Sequence, residues 1–137
     1  MKQYLALMAL VVKEYDEAID FFTQKLNFQL IEDTPLTATK RWVRIAPPGS
    51  SETCLLLARA KNEEETKSIG NQTGGRVFLF LFTDNHDRDY QNLLDHNITI
   101  VRETVEETYG KVAVFADLYG NLWDLIEPSS KNSLANS

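Results

Sequence analysis

Leu5-Ala6-Leu7-Met8-Ala9-Leu10-Val11-Val12 near the start of the chain and Val77-Phe78-Leu79-Phe80-Leu81-Phe82 in its second half decide the fold. Both are continuous apolar runs of strand length, the pattern of a buried strand. Each leads into a helix. Glu14 and Asp16 place negative charge at the start of the first helix, where the macrodipole favours it. Asp84 is an N-cap candidate for the second. Tyr15, Ala18, Ile19, Phe22 and Leu26 then share one helical face, and Tyr90, Leu93 and Leu94 mark a weaker one. Asn27 and Asn97 follow, a residue type that tolerates the left-handed conformation closing many helices.

The remaining elements repeat in the same order. Residues 28–32, 41–46 and 52–58 read as strands in the first half, and 98–101, 111–116 and 122–127 in the second. Pro47-Pro48-Gly49-Ser50 and Asp117-Leu118-Tyr119-Gly120-Asn121 read as hairpin turns. A shift of 70 carries Leu7 to Val77, Asn27 to Asn97, Leu30 to Ile100, Ile45 to Phe115 and Leu55 to Leu125, while the helices match better at 71. The chain is therefore expected to hold two βαβββ modules, residues 4–60 and 76–128. A polar loop at 61–75 joins them, and a small polar tail at 129–137 is expected to be disordered. A small four-stranded sheet leaves one face uncovered. The predicted fold is α+β: one domain over 1–128, with two curved mixed sheets around a shared cleft and helices on the outer faces.

Composition narrows the function classes. The chain has 137 residues, 14 Lys and Arg against 20 Asp and Glu, and a net charge of −6. That balance argues against a nucleic-acid footprint and against a basic membrane-surface helix. A single cysteine, Cys54, excludes an intramolecular disulfide and suits a reducing compartment. The apolar start is short, has no cleavage region and runs at once into a charged helix, so it is not read as a signal peptide. A cytoplasmic protein with no nucleic-acid or membrane partner is expected.

Two stretches carry a family resemblance. Leu10-Val11-Val12-Lys13-Glu14-Tyr15-Asp16-Glu17-Ala18-Ile19-Asp20-Phe21-Phe22, with Lys25-Leu26-Asn27-Phe28, resembles the first module of the vicinal oxygen chelate superfamily. This superfamily includes glyoxalase I, the bleomycin resistance proteins and the extradiol dioxygenases. Asp117-Leu118-Tyr119-Gly120-Asn121-Leu122-Trp123-Asp124-Leu125-Ile126-Glu127-Pro128 resembles its terminal signature. The resemblance implies a homodimer and a cleft that, in the enzymes, chelates a divalent metal. Its ligands would be a histidine on the first strand of each module and a carboxylate or similar group on the last. Counted from the helix caps, those positions fall on Leu7 and Val77, and on Cys54 and Asp124. Leu7 and Val77 cannot ligate, and His86 and His96 sit at the ends of the second helix, where neither maps to a ligand position. No metal and no other cofactor are expected.

Period-two alternation places Leu7, Ala9 and Val11, Val77, Leu79 and Leu81, Cys54 and Leu56, and Leu122, Asp124 and Ile126 in the cleft. Asp124 is then the clearest polar group of an apolar pocket. It would serve as an anchor or base with a pKa raised by desolvation, or as one half of a salt bridge with Arg41, Arg44 or Lys111. Trp42 and Arg44 share a parity whose direction the sequence leaves open; facing inward they would offer a stacking surface and an anion clamp. Trp123 is expected in the core, Phe78, Phe80 and Phe82 against the second helix, and Tyr109 at the rim of the ligand. The candidate substrate-binding set is Asp124, Cys54, Trp42, Arg44 and Tyr109. Two functions stay open: a metal-independent protein that binds a small organic molecule, or a lyase or dioxygenase-like enzyme with an atypical metal site.

Overall fold

In a computed structural model describing residues 1–50, 52–132 and 134, the chain divides into two compact units, Met1–Ile69 and Gly70–Ser137. The boundary falls inside the segment read as a connector. The first unit contains β1 (Leu7–Val12), α1 (Tyr15–Asp20) continuing into a π-helical turn (Phe21–Lys25), β2 (Gln29–Pro35), β3 (Arg41–Ala46), β4 (Cys54–Arg59) and α2 (Glu63–Ser68). The second contains β5 (Val77–Phe82), α3 (His86–Asp95), β6 (Ile100–Glu107), β7 (Gly110–Ala116) and β8 (Leu122–Pro128). Each sheet is mixed, with strand orders β1-β4-β3-β2 and β5-β8-β7-β6, parallel at the first pair and antiparallel elsewhere. The expected α+β architecture of βαβββ modules is present.

Burial follows from alternation. In the first unit Leu10, Val12, Val43, Ile45, Leu55 and Leu57 are buried on the face that meets α1, together with Tyr15, Ala18, Phe21 and Phe22. In the second, Ala113, Phe115, Trp123 and Leu125 fill the same role against Leu93 of α3. Asn27 and Asn97 have φ of 61° and 55°, the left-handed closure read for both helices.

The repeat is less uniform than a shift of 70. β5 pairs Val77 with Leu122 but Leu79 with Trp123, so a bulge at Phe78 adds one residue. This extra residue explains why the helices match at 71. The π-helical turn then adds one residue to the first unit. Leu26 N–H donates to Phe21 O at 3.3 Å, five residues back, where the second helix keeps a four-residue bond, His96 N–H to Asn92 O at 3.1 Å. The offset thus returns to 70 at the two asparagines. At the hairpins it changes again. Seven residues separate β3 from β4 and five separate β7 from β8. Arg44 lies opposite Leu56, whereas Val114 lies opposite Asp124. Leu56, not Cys54, is therefore the counterpart of Asp124, and the two turns are not in register as expected.

Three local readings also change. Residues 61–75 contain α2, because Asn62 accepts from Glu65 N–H at 2.8 Å while a Glu65 carboxylate oxygen accepts from Lys61 N–H, satisfying donors at a helix start. Asn85 rather than Asp84 caps α3, accepting from Arg88 N–H at 3.0 Å. In the segment read as a disordered tail, Ser129 N–H and the Asn132 side-chain amide donate to Tyr109 O at 2.9 and 3.2 Å; Ser133 and residues 135–137 lie outside the described residues. Gly110, which opens β7, has φ of 151°, and a Cβ there would stand 2.3 Å from Glu127 O. Gly110→Ala is expected to lower stability by at least about 2 kcal/mol, read as a drop in the urea midpoint.

Candidate functional site

Pairing sets which side chains share a face. In the first unit, the face opposite α1 carries Ala9, Leu56, Arg44 and Glu32 in one row across β1, β4, β3 and β2. In the second, the corresponding row across β5, β8, β7 and β6 is Phe80, Asp124, Val114 and Arg102. Leu7, Val11, Cys54, Ala58 and Trp42 extend the first face; Leu122, Ile126 and Phe82 extend the second. Trp42 and Arg44 thus face away from α1, which decides the direction the sequence left open.

Arg44 is already engaged. Its Nε donates to Glu32 Oε1 at 2.9 Å and its second nitrogen to Cys54 Sγ at 3.7 Å. The Arg44 bond, helped by the Thr34 hydroxyl, holds the Glu32 carboxyl below its ordinary range, and Glu32 holds the guanidinium above its own. The anion clamp expected of Arg44 is therefore neutralised within the unit. Cys54 is buried at 3% exposure, as a small apolar residue would be.

Asp124 is half-buried, and burial raises its pKa above the ordinary value, an effect that the positive charge of Arg102 partly opposes. The three cations considered as its partners pair elsewhere: Arg41 with Asp33 and Asp16, Arg44 with Glu32, Lys111 with Asp87. Among the described residues Asp124 makes no ion pair. Beside it on β5 stands Phe80, 61% exposed, with Phe82 at 37% two residues on. This corrects the expected aromatic stripe: the bulge at Phe78 turns Phe80 and Phe82 to the Asp124 face and sends Leu79 and Leu81 to the helix face, opposite Trp123 and Leu125. Sequence parity missed Phe80, Phe82 and Arg102 as neighbours of Asp124, and no turn or glycine signal marks the bulge. Tyr109 is 42% exposed at the β6–β7 turn. Gly110 and Val114 are separated by roughly 13 Å of strand, so Tyr109 is not brought beside Asp124.

The positions where the resemblance implies metal ligands do not fit an ion. Leu7 pairs with Cys54 and Val77 with Leu122, so Asp124 neighbours neither first-strand position. Among the described residues no group of three or more His, Cys, Asp or Glu side chains could hold a metal. Both histidines serve the second helix. His86 is buried, stacked on Tyr90 at 5.5 Å, and its backbone N–H donates to Glu127 Oε1 at 2.8 Å. His96 Nδ1 lies 3.0 Å from Asn92 O.

Asp117 is structural. It is 6% exposed and accepts from Tyr119 N–H, from the backbone and side-chain N–H groups of Asn121, and from Trp123 Nε1 at 3.0 Å. One carboxylate thereby forms the last hairpin and fixes Trp123 in the core, as expected for that tryptophan.

Residues 4–125 match the model of the Glyoxalase/Bleomycin resistance protein/Dioxygenase superfamily. The chain belongs to this superfamily. It is 55% identical over 135 residues to an uncharacterized protein of Shewanella frigidimarina (strain NCIMB 400), covering 98% of this chain and 100% of the relative. Among solved structures it resembles UcmS2, with a TM-score of 0.81 and 27% identity over 93% of this chain and 99% of that one. It also resembles TnmS3, an antibiotic binding protein from Streptomyces sp. CB03234, with a TM-score of 0.75 and 26% identity over 93% and 98% of the two chains. Among the described residues no helix is long and apolar enough to cross a membrane.

Proposed function

We propose that this chain binds a small organic molecule, without a metal, on sheet faces opposite its helices, with Asp124 as the polar anchor. The observation that carries this reading is the half-buried Asp124 carboxylate, which makes no ion pair among the described residues, beside the exposed ring of Phe80. A carboxylate kept partly desolvated without a partner is a cost to stability, and a ligand that donates to it would offset that cost. Apolar walls with few polar groups are the usual make-up of a small-molecule site. The likeness to an antibiotic binding protein supports the same class of function. On the first unit, Trp42 is proposed as a ligand contact in its own right. The single thiol suits the cytoplasm, and the protein is proposed to act there as a homodimer, with neither nucleic acid nor membrane as partner.

The test is a thermal-shift screen of aromatic drugs and other organic molecules on protein treated with EDTA. Saturable shifts that survive EDTA and vanish in Asp124→Ala are expected. A screen in which no ligand shift depends on Asp124, or stoichiometric metal in untagged protein, would sink the proposal. The raised pKa gives an independent check. The folded state disfavours the charged form, so the contribution of Asp124 to stability is fully present in acid and lost as pH rises through its raised pKa. Asp124→Asn is therefore expected to unfold at a higher temperature than the parent at neutral pH, and the difference should close in acid, once both folded and unfolded carboxyls are protonated.

A further inference from the structure

The first unit holds a pocket of about 670 Å³ whose lining differs in charge from the rest of the chain. It lies where β4 ends and β3 begins. Trp42, Leu56 and Ala58 line it from the face opposite α1 and Tyr15 and Leu57 from the α1 side, with the 37–40 turn and the start of α2 at the rim. The volume is within the range of small-ligand sites, roughly 300–1,000 Å³. Lys40, Arg41, Arg59 and Lys61 line it, against the single carboxylate of Glu65. The charged lining side chains are thus mainly cationic in a chain of net charge −6.

The four cations are not equally committed. Arg41 is bound to Asp33 at 2.6 Å and Asp16 at 2.8 Å, and acts as part of the wall. Arg59 meets Glu14 at 3.5 Å and Lys61 meets Glu65 at 4.0 Å, long pairs between exposed side chains that a ligand can replace at little cost. Lys40 makes no ion pair among the described residues. A neighbouring pocket, lined by Glu14, Asp16 and Glu17 with Arg41 and Arg59 between the two, collects the carboxylates on the α1 side. Lys40 and Lys61 line the first pocket and not the second, and supply its own positive charge. A pocket lined by an indole and two ammonium groups matches a flat ring bearing an acidic substituent: the ring stacks on Trp42, and the anion meets Lys40 or Lys61.

We infer that this pocket is a binding site for planar organic anions, aromatic carboxylates in particular, with Trp42 as the stacking platform and Lys40, Lys61 and Arg59 as the charge that selects them. The inference goes beyond the proposed function: it rests on a pocket of the first unit and does not depend on Asp124.

The probe is 2-naphthoate, compared with the cation 2-naphthylmethylammonium, followed through the two tryptophan indole signals in ¹⁵N-labelled protein. Trp123 is buried at 2% exposure, and Trp42→Phe assigns the signals. Naphthoate is expected to move the Trp42 signal saturably and leave the Trp123 signal in place, whereas the cation moves neither. The double variant Lys40→Glu, Lys61→Glu changes two exposed side chains and should weaken naphthoate roughly tenfold. Asp124→Ala should leave the titration unchanged. A naphthoate titration that never moves Trp42, equal affinity in the charge-reversed protein, binding of the cation as tight as the anion, or loss of binding in Asp124→Ala would each overturn the inference. Naphthoate failure together with intact Asp124-dependent shifts would overturn this inference and leave the proposed function standing.

Discussion

Asp117→Ala is expected to destabilise the protein by about 3–4 kcal/mol, the sum of lost charge-assisted bonds and newly unsatisfied buried donors. The carboxylate is 6% exposed and is the shared acceptor for Tyr119 N–H, Asn121 N–H, the Asn121 side-chain amide and Trp123 Nε1. Asn121 and Trp123 are themselves buried, at 3% and 2% exposure, so water cannot simply replace what is removed. In thermal unfolding the midpoint should fall by roughly 10–15 °C for a chain of this length. Asp117→Asn keeps one oxygen as acceptor but sets an NH2 group against donors that the other oxygen satisfied, so it should recover only part of the loss. A midpoint within a few degrees of the parent in Asp117→Ala would show that the last hairpin does not need its carboxylate.

The second large effect is expected at Phe22. Its side chain is fully buried, at 0% exposure, edge-on to Phe21 at 5.2 Å and tilted against Phe28 at 5.5 Å, and its carbonyl accepts from Phe28 N–H at 2.9 Å. Phe22→Ala removes most of a ring from a packed core and should cost about 3–5 kcal/mol. Phe22→Leu keeps much of the volume and should cost less than about 1.5 kcal/mol. Chemical denaturation gives both values. The counterpart by helix closure is Leu93, whose carbonyl accepts from Ile98 N–H at 3.0 Å and which is 2% exposed. Leu93→Ala should fall between the two. An equal, small cost for both alanine variants would mean that the helices do not anchor their sheets.

Much of the fold was legible because each βαβββ element announces itself locally. Apolar runs at Leu7–Val12 and Val77–Phe82 read as strands, the spaced apolar positions after them as helices, and Asn27 and Asn97 as closures, since single residues bias single backbone conformations. The helix at Glu63–Ser68 was not legible. It has six residues and no buried face, so it lacks the apolar periodicity by which helices are recognised, and its marks were local ones, the Asn62 cap and the glutamates of its first turn.

The candidate site was less legible, and the reason lies at three insertions. The bulge at Phe78, the π-helical turn at Phe21–Lys25 and the longer β3–β4 connection each shift one copy of the repeat against the other. A uniform shift of 70 paired Asp124 with Cys54 and put the phenylalanines of β5 beneath a helix. In the folded chain Asp124 corresponds to Leu56, and Phe80 stands beside Asp124.

The sequence by itself determined that the chain is a repeat of two βαβββ modules, that Leu7 and Val77 cannot ligate a metal, and that Asp124 is a carboxylate among apolar neighbours. These follow from residue identity and short-range periodicity. Only the tertiary structure decided that Trp42 and Arg44 face away from α1, that Arg44 is bound by Glu32, that Asp124 has no ion pair among the described residues, and that Phe80 flanks it. Each of these depends on strand register. One added residue reverses every later side chain on a strand, and nothing in the local sequence reports it.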